Sequence, residues 1–521
     1  MVENIQLRVE PSIAASQLRL IEMVSSKLGI DANRITDVII TRRSIDARQR
    51  KVAVELGLRV YIDEKPDNTS LCVPETFHKL SSDAPEAIVV GAGPAGLFAA
   101  LRLIQLGISP IVLERGKNVD DRRKDMALIA REGKVDSDSN YCFGEGGAGA
   151  YSDGKLYTRS KKRGSISTVL NILCQHGADE SILIDAHPHI GTDKLPEVIK
   201  AMRKTIESCG GKALFSTKMT DLITEDDKVV GVETTSGTFY GPVILATGHS
   251  ARDVYHNLLS KKINIEPKGI AVGVRLEHPQ HLIDTIRYHN PAGRGKYLPP
   301  AEYTLLTRVD NRAVYSFCMC PGGFIIPAAS APGQIVVNGM SPSNRGTKWA
   351  NSGMVVEVLP EDIVDSPDEP ELKVMRFQEK IEKTFFEDGD GSQNAPAQRM
   401  TDFVNERQSS TLPATSYAPG IHSARIDKLL PGPVSSRLRK GFDEFGRKNR
   451  GFLTSEATVI GCETRTSAPV RVVRDDETLQ SLSHANLFPC GEGAGYAGGI
   501  VSAAVDGMRC AEALAKILNK Y

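Results

Sequence analysis

The sequence predicts an α/β fold: one parallel-sheet βαβ unit, interrupted by an α+β domain and preceded by a smaller α+β domain. Three observations predict it. The stretch "EAIVVGAGPAGLFAALRLIQLGISPIVLERG", residues 86–116, reads as apolar strand, glycine turn, helix, a Gly107 stop and a second apolar strand, which is a βαβ unit. The closing "HANLFPCGEGAGYAGGIVSAAVDGMRCAEALAKILNKY" is again strand, glycine turn and helix, with no room left for a further strand. Between them, residues 265–450 are strand-rich with long Pro/Gly loops, so a separate domain divides the first. At 521 residues the chain exceeds one ordinary hydrophobic core, and two or three domains follow.

Residues 1–82 form the small N-terminal α+β domain: a strand near residues 5–9, a helix over 16–28, then strands in "DVIITRRSIDAR" and "LGLRVYID". Its Arg42, Arg43 and Arg48 read as the rim of a solvated strand. "SSDAP" is the linker. Residues 83–264 are the first part of the βαβ domain, with a further helix over 195–209 and short strands ending in "GPVILATGHS". Residues 265–450 are the inserted substrate or cap domain. Within it, "DSPDEPELKVMRFQEKIEKTFFEDGDG" reads as a charged helix with acidic flanks and a solvated face. Residues 451–521 return to the first domain.

The 64 basic residues balance 64 acidic ones with no Lys/Arg-rich block, so the footprint of a nucleic-acid binder is missing. The opening "MVENIQLRVEPS" has no basic n-region or apolar h-region, and nowhere do about 18 apolar residues run together. A cytoplasmic protein without membrane insertion is expected. Nine scattered cysteines fit a reducing compartment. No C-x-x-C occurs, and the pairs His187/His189 and His278/His281 lack neighbouring cysteines or an H-E-x-x-H helix. No metal site is expected, and these histidines read as surface or core residues.

Gly91-x-Gly93-x-x-Gly96 follows the first strand and opens the helix with Pro94 in its first turn, where the missing N–H costs nothing. The glycines serve a tight turn, close approach of backbone to a pyrophosphate, and close packing of helix on strand. The helix N-terminus offers free N–H groups and partial positive charge to phosphates. Glu114, at the end of the second strand, can accept both ribose hydroxyls of an adenosine. The ligand described is an adenine dinucleotide, and FAD and NAD share this fingerprint. Two other stretches match the spacing. Gly144-x-Gly146-x-x-Gly149 follows polar "DSDSNYC" and precedes "AYSDGKLYTR", which has no helical period; Gly493-x-Gly495-x-x-Gly498 lacks a second strand and acid. Both read as glycine-lined backbone that lets a flat ligand come close, so one dinucleotide is expected.

The "GAGPAG" loop with Glu114, the "ILATG" strand end and "LFPCGEGAG" resemble the FAD-binding fold of the glutathione-reductase-like flavoproteins. More closely, "FGEGGAGAYSDGKL", "ATGHSARD", "FCMCPGG", "GCETRTSAPVR" and "CGEGAGYAGGIVSAAVDG" together resemble a family of bacterial FAD-dependent dehydrogenases of unassigned reaction. The resemblance implies a Rossmann-like FAD-binding domain with an inserted α+β substrate domain and a small N-terminal α+β domain. Gly91, Gly93, Pro94, Ala95 and Gly96 would hold the FAD pyrophosphate, and Glu114, with Arg115 beside it, the adenosine ribose. Gly146, Gly147 and Gly149, and Thr247 with Gly248, would line the flavin. Gly491 and Glu492 stand where the superfamily places an aspartate against the ribityl chain or phosphates. Gly498, Gly499 and Ile500 open the last helix, whose dipole would face the N1/C2 edge of the isoalloxazine and favour the reduced flavin.

Beside those glycines, "YSDGKLYTR" supplies Asp153 and Lys155, candidates for proton handling; the alternative for Asp153 is a turn cap. Cys318 and Cys320 of "CMC" would share a strand face and suggest a dithiol, but C-x-C closes a strained ring and they read rather as plain thiols packed near the pocket. Arg275 and Arg465 are either carboxylate binders or ordinary ion-pair partners. The expected activity is hydride transfer between FAD and a small organic molecule, with NAD(P)H as a candidate transient reductant. The alternatives are an FAD-dependent double-bond reductase or monooxygenase, and a flavin-less binding protein on the same fold.

Overall fold

The structure, a computed structural model, describes residues 1–158, 164–364 and 369–518. Strand Glu86–Val90 is buried beyond its first residue and Ser109–Leu113 throughout, as parallel strands covered on both faces must be. They form a five-stranded parallel sheet in the order Leu487–Pro489, Val243–Leu245, Glu86–Val90, Ser109–Leu113, Lys212–Leu214. Pro489, Leu245, Val90, Leu113 and Leu214 stand opposite one another. The strands therefore end in one row, and the loops beyond it occupy the place where open α/β sheets bind ligands.

Helix Pro94–Gln105 covers one face of this sheet, and helix Ile500–Leu518 lies against it. Their contact is backbone on backbone: a Cβ at Gly507 would fall 2.0 Å from the Ala95 carbonyl oxygen. Ala503, Ala504 and Ala511, all buried, keep the rest of the seam shallow.

A second body is built on a seven-stranded sheet in the order Leu306–Val309, Arg312–Cys320, Trp349–Val358, Ile270–Pro279, Thr458–Glu463, Ala395–Arg399, Ile421–Ser423. The chain enters and leaves it side by side, since Ile265–Pro267 pairs antiparallel with Val470–Val472. Here the sequence-based expectation needs correction. Thr458–Glu463, expected after the 450/451 boundary in the returning part of the first domain, is hydrogen-bonded inside the seven-stranded sheet. Its six residues are all buried, and an apolar run of that kind suits either sheet, which is why the pattern could not place it.

The charged helix is corrected too. Lys373–Glu387 buries Val374, Met375, Ile381 and Phe385, so one face belongs to the core; residues 365–368 of its acidic flank lie outside the described residues. Its Glu382, fully buried, takes Arg252 Nη1 and Nη2 at 2.9 Å, Arg465 Nη2 at 3.0 Å and Thr464 Oγ1 at 2.7 Å. Arg252 begins helix Arg252–Ser260, which packs on the first body, so this carboxylate locks the two bodies together.

The N-terminal unit is a three-stranded antiparallel sheet in the order Val2–Val9, Ala53–Ile62, Ile35–Asp46, covered by helix Gln17–Leu28. Arg43 is not on a purely solvated edge: it pairs with Asp185 of the main body at 2.6 Å. Arg48 pairs with Asp46 and stays exposed.

Two outcomes follow from these contacts. Gly507→Val should part the two helices and lower stability by about 1–3 kcal/mol in denaturant titration. Burial works against the Glu382 charge, but Arg465 and Arg252 hold its carboxyl down at about 2. The stability it contributes is complete above the usual carboxyl range and is lost as pH falls toward 2, about 3 kcal/mol in all. Glu382→Gln should flatten that acid limb and cost about 3–5 kcal/mol at pH 7, because buried Arg465 and half-buried Arg252 lose their partner; an unchanged limb would remove the lock.

Candidate functional site

An elongated cavity, about 1730 Å³ of space counting its open mouth, runs along the row of strand ends. At one end the glycine loop presents bare backbone. Gly91 has φ +105°, and a Cβ there would lie 2.4 Å from the Ala246 carbonyl oxygen. A Cβ on Gly93 would meet nothing nearer than Gly147 Cα at 3.9 Å, so that position faces the cavity. Pro94 and Ala95 border the same space at the first turn of their helix. Glu114 is buried; it accepts from the backbone N–H of Ala92 at 2.8 Å, Gly116 at 2.9 Å and Gly144 at 3.0 Å, and still borders the cavity. Arg115 also borders it, lying over the Phe143 ring at 4.5 Å and paired with Asp253 at 2.7 Å.

The middle wall is the "GEGGAG" loop, held from behind by a residue that no sequence motif marked. Arg122 is fully buried; its Nε donates to Asn140 O and its Nη1 to Glu145 O and Gly147 O, each at 2.8 Å. Gly147 and Gly149 border the cavity. Gly146 does not: at φ +82° its Cβ would strike Ile199, so it serves the turn. Gly96 and Gly491 also stand behind the wall. A Cβ on Gly96 would overlap Gly91 O at 1.8 Å, and the Gly491 N–H donates to Asp506 at 2.8 Å.

At the far end stand Thr247, Gly248, Glu492, Gly498, Gly499 and Ile500. A Cβ on Gly248, Gly498 or Gly499 would meet nothing within 4 Å, so all three leave room for a ligand. Glu492 lies 3.8 Å from His249; burial pushes its carboxyl up to about 7 and His249 down to about 4.

Beyond the flat middle section the wall carries charge. Asp153 is buried, paired with Arg345 at 2.7 Å and 3.3 Å, and 3.9 Å from Lys155 Nζ. Burial opposes its charge, but Lys155 and Arg345 hold it below the usual range. Its oxygens are occupied by an arginine, an ion pair and not the turn cap that was the alternative. Lys155 donates to Met319 O. Lys155, Tyr157, Phe317, Cys318, Gly498 and Gly499 border this cavity and also a second one, walled by Tyr303, Leu305, Tyr315 and Val501 with Glu302, His187 and Arg345 at its rim. His187 hydrogen-bonds Glu302, which lifts its pKa. His187 of "HPH" thus sits at the edge of the site and His189, bonded to Ser343 O at 3.1 Å, lies off it, while His278 is a core residue bonded to Phe452 O at 2.8 Å.

Cys318 borders both cavities; Cys320 is buried and borders neither. They do not share a face in the regular way, because the pairing of Arg312–Cys320 with Trp349–Val358 slips between Phe317 and Cys320 and Cys318 takes φ +47°. Arg275 is buried and paired with Glu463 at 3.0 Å, while Arg465, paired with Glu382, also borders the cavity. Neither Arg122 nor Arg345 could be picked out beforehand. No motif surrounds them, and Arg345 meets Asp153 across 192 positions.

Residues 269–466 match the family described as FAD-dependent protein, C-terminal domain-like, and residues 1–61 a domain of unknown function, DUF8436. An uncharacterized protein of Clostridium beijerinckii is 38% identical over 538 residues, spanning 100% of this chain and 98% of that protein. Protein FixC of Escherichia coli K12 is 26% identical over 216 residues, 39% of this chain and 46% of FixC. Glycine oxidase from Geobacillus kaustophilus is a similar solved structure, with TM-score 0.36 and 10% identity over 83% of this chain and 95% of that one. The chain belongs to the family of the Clostridium protein, and within it residues 269–466 carry the match to the FAD-dependent protein, C-terminal domain-like family.

The cavity fits that cofactor. It has bare glycine backbone at both ends, a helix N-terminus at each, a ribose-type carboxylate on the second strand and a flat glycine wall between. Gly93→Val should therefore fold with near wild-type melting and take up no FAD, read as loss of flavin absorbance in the purified protein. Full FAD occupancy in that variant would overturn this placement.

Proposed function

We propose that this chain is an FAD-dependent oxidoreductase that passes hydride between FAD in the elongated cavity and an organic substrate in the adjoining one. The observation that carries the reading is the shared wall, where Lys155, Cys318, Gly498 and Gly499 face both spaces. Bound FAD supplies the hydride chemistry.

The chain's residues do the rest. The Gly91–Gly96 turn and its helix bind the pyrophosphate, and Glu114 takes the adenosine ribose. The N-terminus of helix Ile500–Leu518 offers partial positive charge where a reduced flavin collects negative charge. Lys155 holds a proton at the junction: burial opposes its charge, but Cys318, Cys320 and Asp153 keep its pKa above the usual value. Arg345 keeps Asp153 ionised, so that carboxylate positions Lys155 rather than donating a proton. Tyr303, Leu305 and Tyr315 give the second cavity an apolar wall that suits a small organic molecule. NAD(P)H is a candidate reductant that docks only transiently.

The test is an anaerobic screen of flavin reduction by NADH, NADPH and small organic donors. Protein that is colourless and cannot be reconstituted with FAD would end this reading. Lys155→Met should keep FAD and slow reduction by roughly 100-fold or more. Glu492 is neutral below about pH 7 and anionic above it, so FAD, which carries an anionic pyrophosphate, should bind more weakly as pH rises through 7. Glu492→Gln should remove that dependence, measured by fluorescence titration.

A further inference from the structure

We propose that Cys318 and Cys320 are a redox dithiol, which closes to a disulfide and hands its electron pair to the flavin. The hand-over rests on the FAD reading above; the disulfide does not.

Placement comes first. The register slip sets Cys318 at φ +47°, a conformation disfavoured for any side chain but glycine. Strain of this kind is held where the surroundings enforce it, often at working sites. Its effect is to leave Cys318 on the wall between the two cavities, with Cys320 enclosed directly behind. The Cys320 sulfur lies 3.3 Å from the Cys318 carbonyl oxygen, two residues along the same strand. One thiol faces a ligand and its partner waits behind it, the arrangement an attacking and a resolving cysteine need.

Charge comes second. Arg275 Nη2 lies 2.7 Å from Cys318 O and 3.3 Å from Cys320 Sγ, and Lys155 is bonded to the carbonyl of Met319, the residue between the two cysteines. Two cations thus converge on the pair. Glu463, 3.0 Å from Arg275, and Asp153, 3.9 Å from Lys155, offset part of that charge. The hydrogen bond from Cys320 draws the Cys318 thiol down to about 5, with Lys155 and Arg275 adding to it against burial; Cys320 is pushed up. Burial pushes Cys72, Cys174 and Cys462 up instead. In the proposed couple Cys318 is the thiolate and Cys320 keeps the proton.

The step balances. A bond forms between the Cys318 and Cys320 sulfurs, and the Cys320 S–H bond breaks. The two electrons released and that one proton reduce oxidised flavin to its anionic two-electron form. A small strained ring raises the potential of such a disulfide, so the closed form is readily reduced again and hand-over to flavin proceeds only while reduced flavin is drawn off; the couple cycles and does not staple the fold. The thiols are therefore more than the packing groups that the C-x-C spacing suggests.

The experiment has two arms, both on the full chain. Flavin-free protein is treated with diamide, alkylated and digested. The peptide holding Cys318 and Cys320 should be unlabelled and lighter by two hydrogens, and before oxidation Cys318 should alkylate at pH 6 ahead of Cys72 and Cys174, about tenfold more slowly in Lys155→Met. Oxidised FAD-loaded protein is then titrated anaerobically with dithionite. It should consume two electron equivalents beyond the flavin's own two, and Cys320→Ser should consume only the flavin's two. Free thiols after diamide would overturn the couple. A disulfide that forms while the wild-type count stays at two would overturn the hand-over to flavin. Failure to bind FAD at all would strike the oxidoreductase reading, while disulfide formation in flavin-free protein would still decide for or against the couple.

Discussion

The cofactor groove exists because pairs of backbone segments approach with no side chain between them. A Cβ would fall 2.4 Å from Ala246 O at Gly91, 2.6 Å from Gly144 Cα at Gly116, 2.5 Å from Gly248 O at Gly493 and 2.0 Å from Ala95 O at Gly507. Each contact ties a loop at the strand ends, or the helix behind it, to its neighbour. Together they set the width of the groove, and any larger residue at these positions displaces a wall. Here glycine sets the distance between elements.

Around that backbone frame the polar structure is carried by buried arginines. Arg122 fastens the "GEGGAG" loop through its carbonyls, Arg465 and Arg252 meet on Glu382, Arg275 meets Glu463, and Arg345 meets Asp153. A guanidinium carries five donors in a fixed plane, so one residue can satisfy several acceptors and still hold an orientation. The consequence is a cavity wall whose charges are fixed in place. Lys155 and Cys318 border both cavities on that wall.

The two bodies meet where chemistry is expected. The parallel sheet contributes the groove; the seven-stranded sheet brings Phe317 and Cys318, and a two-stranded sheet beside it Asn338, against its far end. Glu382 couples them, so a shift of one body is felt at Arg465 and hence at the cavity. The N-terminal unit adds its own hold through Arg43 and Asp185, which line a further cavity together with His187 and His189.

By itself the sequence determined the βαβ unit, its glycine turn, Glu114 and the last helix, because strand period, turn chemistry and helix start are written in adjacent residues. It also marked the "YSDGK" and "CMC" stretches as places of interest. Tertiary structure alone decided which of these line the cavities. Asp153 reads as a turn cap or a catalyst until Arg345, 192 positions away, lies beside it. Cys318 and Cys320 read as neighbours on one face until the slip against Trp349–Val358 turns Cys318 to the cavities and leaves Cys320 enclosed behind it. Thr458–Glu463 reads as a strand of either sheet until its hydrogen-bond partners are known. The physical reason is the same in each case: local pattern dictates the element and the side it buries, whereas the charge, direction and partner of a side chain are set by what packs against it from far along the chain.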